Sequence, residues 1–235
     1  MSIKLFPAKG RGSADYGWLK ANYSFSFSNF YNADQVHFGK LRVLNDDYIA
    51  GGAGFATHPH ENMEIITIPL KGALEHSDST GGKGVIRPGE VQIMSAGTGV
   101  EHSEKNYIKN GETNVLQLWI FPKEQNIEPR YAQQYFEEQQ RMNTWQPVVS
   151  NKHPGALNIN QDAVLSLSHL QQGKSVDYKL HFQGNGVYLF VIDGDITIEG
   201  TRFKKRDAAG IDHFNEFEVS ANSDSKLLAI EVPMN

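Results

Sequence analysis

Cysteine is absent from the 235-residue chain. That excludes a disulfide framework, a thiolate metal site and a cysteine nucleophile, so any metal must be held by nitrogen and oxygen. Long apolar runs are missing too. The opening MSIKLFPAKGRG holds no stretch suited to a signal peptide, and no segment nears the ~20 apolar residues of a transmembrane helix. A cytoplasmic protein with no membrane partner is the expectation. Basic charge is not in excess either: 22 Lys and Arg face 27 Asp and Glu, for a net charge of -5. A nucleic-acid binder usually carries a net basic domain or stripe, so no direct nucleic-acid partner is expected. The short cluster Lys204-Lys205-Arg206 reads as a solvated turn.

What the chain does have is short strand-like segments between glycine-rich turns. Examples are GKLRVLNDD (39–47), MEIITIPL (63–70), GALEHSDS (72–79), EVQIMSA (90–96) and NVLQLWIF (114–121). The second half continues with AVLSLSHL (163–170), GVYLFVI (186–192), DITIEG (195–200) and SKLLAIEVP (225–233). Turn residues at roughly ten-residue spacing predict an all-β sandwich or barrel rather than alternating β–α units. The halves also echo each other: MEIITIPLKGALEHSD resembles GVYLFVIDGDITIEG, with Gly72 and Gly194 at matching places, and NVLQLWIFP resembles KLLAIEVP. Two related β domains in tandem explain both echoes. The boundary is expected within residues 122–150, whose EQNIEPRYAQQYFEEQQRMN reads as a short helix or a charged linker. This gives domains 1–135 and 136–235.

The chemistry concentrates in FATHPHENMEIITIPLKG (55–72). Residues i and i+2 of a strand share a face, so His58 and His60 can aim at one point if the segment is extended. Pro59 favours that conformation at His58 and rules out a helix interior. Matching partners occur in SAGTGVEHSEKN (95–106), where His102 and Glu104 again differ by two. Three imidazoles and one carboxylate suit Fe(II), Mn, Co, Ni, Cu or Zn, and ligand softness does not choose among them.

The arrangement G-x5-H-x-H-x3-E from Gly52 to Glu64 resembles the first motif of the cupin superfamily, and Pro88–Asn106 resembles the second. HPHENME together with AGTGVEHSE is more closely similar to the pirin family of bicupins. The likeness extends to FSFSNFYN (25–32), LRVLNDD (41–47) and LQLWI (116–120), and is strongest over residues 15–125. It departs from the general cupin pattern at Ser95, where proline is common. The resemblance implies two tandem jelly-roll-like cupin barrels with few short helices. It implies a divalent metal, foremost Fe(II), held by His58, His60, His102 and Glu104. The internal echo, in turn, predicts a C-terminal barrel without metal ligands.

Glu64 shares the parity of His58 and His60, so an unbulged strand would aim it at the same point. With Glu104 as the carboxylate ligand, Glu64 is expected to orient a ligand or to serve as a buried structural carboxylate. His76 is expected to be a hydrogen-bonded structural histidine. His37, His153, His169, His181 and His213 have no partner at ligand spacing. The echo places Leu180 and Phe182 where His58 and His60 stand.

Two functions follow. The resemblance implies a dioxygenase related to quercetin 2,3-dioxygenase. Such an enzyme opens a flavonol heterocycle with O2 and releases carbon monoxide, with Glu104 as the catalytic base. The alternative is a metal-containing regulatory module that binds a protein partner. Imidazole's reference pKa of about 6.5 predicts weaker metal retention below about pH 6.

Overall fold

Buried strands alternate their side chains between two faces, and here both faces are apolar. Along Glu64–Lys71, Ile66 and Ile68 enter one core cluster while Ile65 enters another. Along Asn185–Asp193, Tyr188, Phe190 and Ile192 face one cluster while Val187, Leu189 and Val191 face a second. That double burial explains the near-continuous apolar runs in sequence.

The computed structural model describes residues 1–235, and nearly all of its regular structure is strand. Helical turns are confined to the 3-10 segments Ala8–Gly10 and Glu138–Arg141. No helix is long and apolar enough to cross a membrane. In the first half, a seven-stranded sheet runs in the order Arg130–Tyr135, Glu90–Ser95, Glu64–Lys71, Thr113–Ile120, Leu41–Ile49, Leu19–Tyr23, Gly12–Asp15. It faces a four-stranded sheet of Gly54–His60, Val100–Asn106, Leu74–Asp78 and Lys83–Ile86. In the second half, a six-stranded sheet runs Ser2–Phe6, Ala208–Asp212, Asn185–Asp193, Ser225–Pro233, Val164–Leu170, Gln146–Ser150. Its companion holds Ser175–Lys179, Glu216–Ala221, Asp195–Ile198 and Thr201–Lys204. These are two cupin-type barrels.

The larger sheets of the two halves share one core of 27 buried residues, among them Leu44, Ile66 and Leu118 from the first half and Leu165, Phe190 and Ile230 from the second. A fully buried side chain of this kind contributes about 1.5–3 kcal/mol, so the seam is a structural core and not a hinge.

One strand also crosses between the halves. Ser2–Phe6 opens the chain yet pairs with Ala208–Asp212 in the second sheet. Arg130–Tyr135 stays with the first barrel, where it pairs with Glu90–Ser95 at the edge of the first sheet. The stretch that reads as a helix or linker therefore contains a six-residue strand followed by the 3-10 turn. Its polar composition hides it, because an edge strand needs little apolar surface. Gln133 Nε2 donates to the carbonyl of Val85 and Gln134 Nε2 to that of Gly155.

The echo of Gly72 and Gly194 has a physical cause. Both have positive φ, 80° and 97°, and a Cβ at either would collide with the first residue of a neighbouring strand, Thr113 or Ser225.

Candidate metal centre

Strand Gly54–His60 lies antiparallel to Val100–Asn106, and His58 sits directly opposite His102. With Pro59 between them, His58 and His60 point the same way, and their ring centroids are 4.9 Å apart. The His102 ring completes a triangle, 4.4 Å from His58 and 4.9 Å from His60. His58 Nδ1–H donates to the Ala56 carbonyl at 2.8 Å, which leaves its Nε2 as a lone-pair donor facing His102 Nε2 at 3.0 Å. The three rings each offer one ligand atom, all within 4.8 Å of one another.

Glu104 does not join that trio. The extra residue in the pairing with Gly54–His60 lies on that other strand, between Phe55 and His58, so His102 and Glu104 keep their i, i+2 relation and lie opposite Asp78 and His76. Glu104 instead shares a second, fully buried group with His102 and His76, again with ligand atoms within 4.8 Å. His102 therefore belongs to both groups. Gln117 Nε2 donates to both Glu104 carboxylate oxygens at 3.1 Å, and Thr67 Oγ1 donates to one of them at 3.3 Å.

Glu64 is in neither group. Its strand begins afresh after Asn62, which has φ of 48°, so parity does not carry over from His60. Its carboxylate accepts from Ser95 Oγ at 2.8 Å and from the Asn160 amide at 3.1 Å, which ties the first half to the second. His76 Nε2–H donates to Asp78 Oδ2 at 2.8 Å. Of the remaining histidines, His153 and His181 contact each other at 2.9 Å and His169 meets Glu138 at 3.1 Å. The first of these pairs spans 28 positions, beyond the reach of any local spacing rule.

Burial dominates the electrostatics. It pulls His102 down to about 3, helped by repulsion from His58, His60 and His76. It pulls His60 down to about 4. Both rings are neutral near pH 7, as ligation demands. Burial pushes Glu104 up to about 7, against hydrogen bonds from Thr67 and Gln117 that favour its charged form. Burial also raises Asp47 to about 8, with Asp46 and Glu104 adding repulsion. The donor set suits a divalent metal. It consists of convergent neutral imidazoles beside a buried carboxylate, and nitrogen and oxygen donors of this kind suit such ions.

Comparison with known proteins agrees. The Pirin family model matches residues 7–120, and that of the quercetinase C-terminal cupin domain matches residues 148–232. Quercetin 2,3-dioxygenase of Escherichia coli K12 is 39% identical over 232 residues, covering 98% of this chain and 99% of the relative. The chain belongs to the pirin family. The crystal structure of the bacterial pirin YhhW from Escherichia coli in complex with nickel(II) superposes with a TM-score of 0.94 at 37% identity, covering 100% of both chains. A pirin-like protein of Caulobacter vibrioides is 37% identical over 222 residues, covering 94% of this chain and 95% of the relative.

Strand pairing in this pirin corrects the internal alignment by two residues. Glu104 pairs with His76, two residues beyond Leu74, and Asn106 pairs with Leu74; in the second barrel Ala221 pairs with Ile196. Counting from those anchors, Phe217 matches His102 and Val219 matches Glu104. Tyr178, opposite Phe217, then matches His58, and Leu180 matches His60. Thr67 and Gln117 pair across their strands as Leu189 and Ala229 do. The counterparts Tyr178, Phe217, Val219, Leu189 and Ala229 all lie in one apolar cluster.

Proposed function

We propose that this pirin is a metal-dependent dioxygenase that opens a flavonol heterocycle with O2. The observation that carries the reading is Glu104, a fully buried carboxyl raised to about 7 and grouped with His102. His58, His60, His102 and Glu104 are the residues that would hold the metal, with Fe(II) foremost and Mn, Co, Ni, Cu or Zn as alternatives. When bound, a divalent metal supplies Lewis acidity that lowers the pKa of a substrate hydroxyl.

The chain's own groups provide the rest. An open depression of about 370 Å³, lined by His60, Pro59, Val100, Gly99, Glu61, Glu101 and Ser79, forms the mouth. The carboxylates Glu61 and Glu101 at its lip disfavour a phenolate and admit a neutral phenol. The 3-hydroxyl proton then has to be taken inside, and a carboxylate with a pKa near 7 is matched to that task. Gln117 and Thr67 fix both oxygens of Glu104 for this role. Trp119, packed edge-on against His60 with ring centroids 4.9 Å apart, gives the site an aromatic wall.

A second reading rests on the mouth itself. It is open and carries the charged side chains Glu61 and Glu101, whereas pockets for aromatic ligands are enclosed clefts with few charged groups. That favours a metal-containing regulatory module whose exposed metal face meets a protein partner. The deciding experiment is metal analysis of protein purified without added metal, followed by a quercetin-loss assay in air and under nitrogen. O2-dependent loss that scales with metal content supports the enzyme. No loss with any of Fe, Mn, Co, Ni or Cu fully loaded makes the regulatory reading the better one.

A further inference from the structure

His76 and Asp78 are completely buried, and nothing in the proposed chemistry uses them. Asp78 is held rigidly. Its Oδ1 accepts from the Thr80 amide at 2.9 Å, Thr80 Oγ1 at 2.6 Å and the Gly82 amide at 2.9 Å, while Oδ2 accepts from His76 Nε2–H. The His76 ring also stacks on Tyr131, with centroids 4.8 Å apart and planes inclined by 22°. Bonded at one end and stacked on one face, this imidazole has little freedom.

The hydrogen bond to Asp78 fixes a tautomer. The proton of His76 sits on Nε2, so Nδ1 is an acceptor, and that Nδ1 is buried with no partner. His102 presents the complement. Its Nε2 is turned toward His58 and the three-histidine cluster; when that nitrogen ligates, the ring proton sits on Nδ1. His102 Nδ1 is likewise buried with no partner. A donor and an acceptor, both unsatisfied, thus lie on rings whose centroids are 5.3 Å apart. Their strands are paired, with His102 opposite Asp78 and Glu104 opposite His76. Neither nitrogen is hydrogen-bonded to Glu104, whose oxygens accept from Gln117 and Thr67. Buried polar groups are rarely left unpaired, and a ligating histidine usually donates its second N–H to an acceptor that orients it.

We infer that Asp78 and His76 are a positioning pair that sets the tautomer and orientation of His102 for metal binding. The inference rests on the three-histidine site and not on the flavonol chemistry. His76 is not itself a ligand; it acts through His102.

The test uses the full chain, Ni(II) affinity by chelator competition, and the electron paramagnetic resonance spectrum of the Cu(II)-loaded protein. His76→Phe keeps the stack on Tyr131 but removes the acceptor. Asp78→Asn keeps the shape but allows the His76 tautomer to reverse. Each is expected to weaken Ni(II) binding by about 10–100-fold, and to change the Cu(II) nitrogen couplings without loss of a bound nitrogen. His76→Gln, whose amide oxygen can accept from His102 Nδ1–H, is expected to recover part of the affinity. Wild-type affinity and spectrum in both first variants would overturn the inference. So would an affinity loss that merely tracks the melting temperature of the metal-free protein and is not rescued by His76→Gln. Loss of one bound nitrogen in His76→Phe would make His76 a ligand and overturn it differently. If His76→Phe does not fold, Asp78→Asn decides alone. All readouts are made without substrate, so a wild type that binds Ni(II) but never consumes a flavonol removes the dioxygenase reading and leaves this comparison intact.

Discussion

Tyr178 and Phe217 stack with ring centroids 5.5 Å apart and planes inclined by 18°, at the positions where the first barrel has His58 and His102. Around them Leu189, Val219 and Ala229 replace Thr67, Glu104 and Gln117. An apolar plug fills the place of a polar, ligand-bearing pocket. One metal per chain is therefore expected. Titration with Ni(II) followed by elemental analysis checks this, and a stoichiometry of two would refute the assignment of the second barrel.

Removing any imidazole of the trio should leave an incomplete shell. His58→Ala, His60→Ala and His102→Ala are each expected to lose most bound metal while keeping a β-sheet circular dichroism spectrum. A His102→Ala protein that stays loaded would mean that the metal sits elsewhere.

Acid should act on Glu104 first. A carboxyl raised to about 7 is protonated in the metal-free protein below that pH, so metal must displace its proton. If Glu104 ligates, affinity falls about tenfold per unit as pH drops from about 7 toward 5. His60 and His102, pulled down to about 4 and about 3, add competition only in stronger acid. Glu104→Gln should flatten the profile between pH 7 and 5. An unchanged slope in that variant would exclude Glu104 as the proton released.

Glutamates 104 and 64 should separate cleanly. Glu104→Gln keeps the size but removes the base, and loss of a general base typically costs about 10²–10⁴-fold in turnover. Metal content should fall less than turnover, because three imidazoles remain. Glu64→Gln should instead weaken the link from Ser95 to Asn160, costing about 1–3 kcal/mol of stability with turnover largely kept. Quercetin turnover, metal content and thermal unfolding on both variants decide. A fully metallated Glu104→Gln at wild-type turnover would remove it from the mechanism.

How much of this was legible in sequence follows from which physical rules are local. His58, His60 and His102 were found because the two-residue period of a strand is written in the chain itself. The closeness of His76 to His102 and Glu104 was not, because it depends on which strand lies beside Val100–Asn106. Thr67 and Gln117 carried a signal that went unread: each is a lone polar residue inside an apolar strand, at the parity that faces the barrel. The strand Arg130–Tyr135 was missed because an edge position relaxes the demand for apolar residues. The two-residue error in the internal alignment arose because glycine landmarks fix a turn but not the register of strands that follow it.

The placement of Ser2–Phe6 in the second sheet bears on how the protein is made. Ser2 pairs with Asp212, so residues 2–6 stay without their partner until residues 208–212 have been made. Until then the segment SIKLF offers unpaired backbone groups to any other chain. Closing so distant a contact is entropically slow. During synthesis, then, residues 2–6 form the strand that waits longest for its partner.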